Sequence, residues 1–162
     1  MPYIIRILMF FFLVLPWISQ GQSQVELIRA DSLKGYQQDL VMRKELLGHV
    51  LLRQGTTTLS CDQAVLNSTT NNVEAYGHVK IIQADTVTIT GDTALYNGDM
   101  RQAFMSGRVK LDDHTIILNT NKLDYDLNSK MAIYHSGAKI IDKKESIVKF
   151  KKLFFVMLLS SV

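Results

Sequence analysis

The chain has 162 residues, enough for one domain with a modest core. Its net charge is +3 and the basic residues are scattered. With no Lys/Arg stripe and no interleaved aromatics, that excludes a nucleic-acid-binding reading.

The N-terminus differs in kind from the rest. Residues 1–6 carry one positive charge, residues 7–18 are almost wholly apolar apart from Pro16, and Ser19-Gln20-Gly21 follows with small residues. This is the layout of a secretory signal peptide over residues 1–21, with a mature start near Gln22. The apolar run is short for a transmembrane helix, and an uncleaved anchor is the competing reading. No Cys lies near the cleavage region, so a lipid anchor is not expected. Cys61 is the only cysteine and cannot form an internal bridge. It reads as a small buried apolar residue rather than a reactive thiol.

Residues 22–46 form a lead-in. Val25, Leu27 and Ile28 precede Asp31-Ser32-Leu33, and Met42-Arg43-Lys44-Glu45 fits a helical turn or a loop equally. From residue 47 to 148 the chain repeats. Gly48, Gly77, Gly107 and Gly137 lie 29 or 30 residues apart and open similar segments, such as Gly77-His78-Val79-Lys80-Ile81 and Gly107-Arg108-Val109-Lys110-Leu111. About fourteen residues on comes a second marker. It reads Asp62-Gln63-Ala64-Val65-Leu66-Asn67, Asp92-Thr93-Ala94-Leu95-Tyr96-Asn97 and Asn121-Lys122-Leu123-Asp124-Tyr125-Asp126, with a half-copy at Asp31-Ser32-Leu33. Two markers kept at fixed spacing denote internal repetition.

Each period alternates apolar and polar residues, the pattern of half-buried strands. A period of this length holds two to four strands of about five residues. Turns are expected at Asn71-Asn72, Asn97-Gly98-Asp99, Asp112-Asp113 and Leu127-Asn128-Ser129. Both prolines lie before residue 17, which leaves the ladders uninterrupted. The expected fold is all-β, with stacked units that bury one continuous apolar strip. Its inward pairs are Val50 and Leu52, Val79 and Ile81, and Val109 and Leu111. Thr57 and Leu59, Val87 and Ile89, and Ile116 and Leu118 form a second set. Ala64 and Leu66, Ala94 and Tyr96, and Leu123 and Tyr125 form a third. Lys80, Thr86, Thr88, Thr90, Lys110 and Lys122 face the other way. The tail, residues 149–162, runs from Lys149-Phe150-Lys151-Lys152 into an apolar stretch. It fits a last strand, an interfacial segment or a truncated end.

Chemistry is scarce. His49 and His78 hold equivalent positions, yet no third ligand recurs with them, so no metal site is expected. Asp62, Asp85, Asp92, Asp124 and Asp126 are expected beside turns, accepting backbone hydrogen bonds, rather than as a hydrolytic pair. There is no nucleophile elbow, phosphate loop or Cys/His dyad. Neither an enzyme nor a cofactor is expected.

The Gly-x-Val strands, the Asp/Asn-initiated strands and the alanine-containing returns (Val73-Glu74-Ala75-Tyr76-Gly77, Gln102-Ala103-Phe104-Met105-Ser106-Gly107, Met131-Ala132-Ile133-Tyr134-His135) resemble the OstA-like family. That family comprises periplasmic lipopolysaccharide-transport proteins of the LptA type and the soluble N-terminal domain of LptD. The resemblance covers residues 31–141. It implies a repeat-built half-open β-jellyroll, or β-taco, in the periplasm, binding lipopolysaccharide by its acyl chains and bridging to the outer membrane by edge-strand pairing with other OstA-like domains or itself. The implied lipid-groove residues are Val50, Leu52, Leu59, Val79, Ile81, Val87, Ile89, Tyr96, Val109, Leu111, Ile116, Leu118, Leu123 and Tyr125. With no barrel following, a translocon is not expected. Lys80, Arg108 or Lys110 could meet phosphates, although a solvated strand face accounts for them. The alternative is an exported structural or adhesion protein with a packed interior and no lipid cargo. An open or a filled interior separates the two.

Overall fold

A computed structural model describes residues 23–38, 41–144, 148–151 and 155–158. The expected signal peptide, residues 1–21, lies outside them. The described residues form one 12-stranded antiparallel sheet. Its strands are β1 (Glu26–Arg29), β2 (Ser32–Gln38), β3 (Val41–Gln54), β4 (Thr57–Asn67), β5 (Asn72–Gln83) and β6 (Val87–Asn97). Then come β7 (Gln102–Asp112), β8 (Ile116–Asp126), β9 (Met131–Tyr134), β10 (Ala138–Asp142), β11 (Val148–Lys151) and β12 (Phe155–Leu158). Strands β3 to β8 pair in chain order as a meander, and among the described residues the sheet stays open.

Two expectations are corrected here. Each period holds two strands, within the two to four expected, but they run 11 to 14 residues rather than about five. Met42-Arg43-Lys44-Glu45 is neither helix nor loop but part of β3, paired with β2 and β4. Backbone pairing on both sides satisfies this polar stretch as strand, which overrides its weak local preference.

Each long strand bends at its middle. The pairing of β5 with β6 runs through Tyr76↔Thr93, skips, and resumes at Val79↔Gly91. Gly77 and His78 therefore oppose Asp92 alone, a β-bulge with one extra residue. Gly48-His49 in β3 and Gly107-Arg108 in β7 interrupt the register in the same way. At all three places the glycine has φ of 72–74° and the next residue φ of 45°. This left-handed pair turns the chain through the bend. Gly137 breaks the series: it is not left-handed, and the chain there splits into β9 and β10, which pair with opposite halves of β8. At the other end β1 and β2 pair with opposite halves of β3 around Asp31, the half-copy seen in sequence.

The bends align and crease the sheet into two wings. The first wing holds β1, β10, β11 and the halves of β3 to β8 that pair with them; the second holds β2, β9, β12 and the other halves. In β4 the buried residues are Thr57, Leu59 and Cys61 before the bend, then Ala64 and Leu66 after it. The parity changes at the crease, and it does so in β6 and β8 as well. That keeps the apolar side inward on both wings.

A carboxylate sits on each of the three glycines. A Cβ on Gly77 would lie 2.3 Å from Asp62 Oδ2, and Gly48 and Gly107 face Asp31 and Asp92 equally closely. Asp62 and Asp92 thus stand at mid-strand creases, not beside turns as expected; Asp124 also lies within a strand. The turn carboxylates are Asp85, at the β5–β6 tip, and Asp126, whose Oδ1 accepts from the Asn128 and Ser129 amides. Gly77→Ala should destabilise the protein by about 2 kcal/mol, from left-handed strain plus the clash. Gly35→Ala, on the β2 edge with nothing within 4 Å, should be near neutral. Denaturant unfolding of the two variants tests this; equal midpoints would remove the crease from the account.

Candidate functional site

The space between the wings holds one continuous apolar cluster of the described residues. Thirteen of the fourteen residues expected to line it are buried, from Val50 and Leu52 at one end to Leu123 and Tyr125 at the other. Ile116 is half-buried against the same cluster. All fourteen therefore belong to one core. Leu46, Cys61, Ala64, Leu66, Val73, Ala75, Ala94, Ala103, Met105, Leu127, Ala132, Tyr134 and Ala138 complete it, although they were not among the expected lining. For Val73, Ala75, Ala103, Met105, Ala132 and Tyr134 the signal was the alternation in the alanine-containing returns.

Among the described residues the strip is closely packed, most of its side chains being fully buried. Near Gln54, the cavity lined by Leu52, Leu59, Ile81 and Tyr96 measures about 10 Å³, roughly the room for one water.

Opposite the crease, the wing tips meet along a mouth closed by hydrogen bonds. Tyr96 Oη donates to Gln54 Oε1 at 2.5 Å, and Gln54 Nε2 donates to the Gly98 carbonyl at 2.8 Å. Gln54 Nε2 also donates to the Ser23 carbonyl. One period on, the arrangement recurs. Tyr125 Oη donates to Gln83 Oε1 at 2.9 Å, and Gln83 Nε2 donates to the Leu127 carbonyl at 2.6 Å. Each latch joins a glutamine at a first-wing tip to a tyrosine on the second wing. Both glutamines are buried, so these bonds satisfy groups that would otherwise be costly to bury. Burial pushes the Tyr125 phenol up to about 12 and raises that of Tyr96, so both stay protonated donors. Sequence reading passed over the glutamines, although Gln54 and Gln83 keep the repeat spacing, as Tyr96 and Tyr125 do.

The mouth holds two further contacts. Asn71 Oδ1 accepts from the Val25 amide at 2.8 Å, and Arg101 Nη2 reaches Thr57 Oγ1 at 3.3 Å. Arg101 Nε is buried without a hydrogen-bond partner.

The histidine and Arg108 ion pairs lie on the outside. His49 and His78 each pair with a carboxylate, Asp31 and Asp62, at 2.7 Å. Arg108 grips Asp92 with its closest contact at 2.6 Å, which holds that carboxyl below its usual range. His135 pairs with Asp124 at 2.7 Å. These pairs line the crease and its flank; being exposed, each adds little stability. No cluster of three or more His, Cys, Asp or Glu is placed to hold a metal ion among the described residues. Lys80 and Lys110 are exposed on the outer face, away from the mouth.

The crease, the two wings and the buried strip define a half-open β-jellyroll. Residues 22–155 match the OstA-like protein family, and the chain belongs to it. Among solved structures it is similar to LptH from Pseudomonas aeruginosa, described as the LptA-homologous periplasmic component of the conserved lipopolysaccharide transport device. The TM-score is 0.62 at 16% identity, over 85% of this chain and 96% of that one. At that identity the likeness concerns the fold. A comparison with curated protein sequences finds no match.

Cys61 is buried at the crease and donates to the Gln63 carbonyl at 3.1 Å. Desolvation is the main cause that pushes its thiol up to about 11. Alkylation of the folded protein at neutral pH should therefore be at least about a hundredfold slower than in denaturant. Equal rates, measured by mass spectrometry, would contradict this burial.

Proposed function

We propose that this chain is a periplasmic lipopolysaccharide-binding module that takes acyl chains between its wings and passes them toward the outer membrane. The observation that carries the reading is the apolar strip. It runs the length of the described sheet, from the β1–β2 edge to the β9–β10 region, in a chain of the OstA-like family. Burial of an acyl chain supplies about 0.8 kcal/mol per methylene, and a row of equivalent rungs makes that energy nearly uniform along the path. A chain can then slide from rung to rung without a deep trap. The outer edge of β2, without a strand partner among the described residues and exposed throughout its described side chains, supports edge-to-edge joining with a second such domain. Nothing in this mechanism requires catalysis.

The close burial of the strip among the described residues favours a second reading, in which the module is structural and carries no lipid. The two differ in what reaches Ile89 and Leu118, both buried at mid-strip. Photocrosslinking residues placed there, activated in cells, should give adducts with lipopolysaccharide. Adducts with protein alone, or none, would overturn the carrier reading and leave the structural one. Leu118→Asp should abolish lipid capture or folding, because it leaves an unpaired charge in the core. Wild-type stability with wild-type lipid capture would sink the assignment of the inward face.

A further inference from the structure

The mouth combines three features that the acyl-binding strip alone does not require. It is bolted by two repeat-equivalent Gln–Tyr latches, where apolar contact would suffice for a packed core. A cationic side chain lies among the bolts: Arg101 has no carboxylate within ion-pair reach among the described residues, and its Nε is a buried donor without a partner. Directly inside is the small pit walled by Leu52, Leu59 and Ile81. A buried N–H of a guanidinium left without an acceptor is costly unless something completes it.

We infer that this corner of the mouth is a head-group site for an anionic amphiphile, and that its occupation opens the latches. The inference rests on the lipid-carrying reading and specifies where the lipid enters. An anionic oxygen accepts from Arg101 Nε and replaces the long Thr57 contact. The tail then starts into the pit at Leu52, which requires the Tyr96–Gln54 bond to part. Tyr96 Oη and the Gln54 amide, freed on opening, hydrogen-bond the polar junction between head and tail. At the opposite end, among the described residues, the β7–β8 tip carries no third latch. Its Asp113 carboxylate turns back to the Thr115 and Ile116 amides. Opening is therefore resisted at two rungs, and the Tyr96 rung is the one beside the cation.

The test uses the full mature chain and two fluorescent probes, a long-chain carboxylate and its methyl ester. Wild type should prefer the carboxylate by about tenfold, the worth of one charge-assisted hydrogen bond. That preference should shrink with added salt. Arg101→Gln should abolish the preference while keeping ester affinity, and Arg101→Lys should largely restore it. Tyr96→Phe should speed entry of both probes by about fivefold, as should Tyr125→Phe to a lesser extent. An unchanged carboxylate-to-ester ratio in Arg101→Gln, or unchanged entry rates in Tyr96→Phe, overturns the inference. If Arg101→Gln fails to fold, a salt-independent preference in wild type overturns it instead. Purified lipopolysaccharide separates the two levels. Equal binding by wild type and Arg101→Gln ends the head-group site but leaves the carrier reading standing. No binding of lipopolysaccharide or of either probe by wild type ends both.

Discussion

Everything in this fold depends on the crease. A flat antiparallel meander of six long strands would have two equal faces and no interior. Three Gly-x bulges, each with two consecutive left-handed residues, force every strand to turn at the same level. The conformation is unfavourable for the second residue, which is His or Arg, by about 1–3 kcal/mol. The Asp across the crease holds that residue by hydrogen bond or ion pair and covers the glycine's Cα. Strain, glycine and carboxylate are one unit, repeated at the spacing of the sequence period.

From the crease follows the division of the molecule. On one side the wings are joined by covalent chain and cannot part. On the other they are joined by side-chain hydrogen bonds, each worth about 1 kcal/mol net. Apolar packing between the wings contributes far more in total, but it is non-directional and would be partly replaced by an acyl chain. A buried strip packed between the wings is thus compatible with carrying lipid, provided the mouth parts and the tail takes over the contacts of the opposing wing. On the proposed reading, the glutamine and tyrosine side chains set where that parting starts.

The sequence shows the repeat, the all-β class and nearly all of the inward face, because period and parity depend on residue type alone. Val79, Ile81, Val87 and Ile89 could be assigned inward with no knowledge of neighbours. Strand length was not legible. The parity change at Asp62 and Asp92 makes one bent strand read as two short ones, and only pairing with the next strand reveals continuity. Met42 to Glu45 escaped for a related reason: their strand state is imposed by partners on both sides. The latches were hidden differently. Gln54 to Tyr96 and Gln83 to Tyr125 are each 42 residues apart, and they meet only because the two wings face each other. Gly137 carries the sequence marker without the conformation, so a repeat marker does not guarantee a repeat geometry.

The central claim is that the wings part at the mouth while the crease holds. Spin labels at Thr56 and Met100, exposed tips on opposite sides of the mouth, measure this directly by pulsed electron resonance in a Cys61→Ala background. Saturating lipopolysaccharide should lengthen the distance between the labels by several ångströms, while a pair placed along one wing stays unchanged. Bound lipopolysaccharide with an unaltered Thr56–Met100 distance would contradict it.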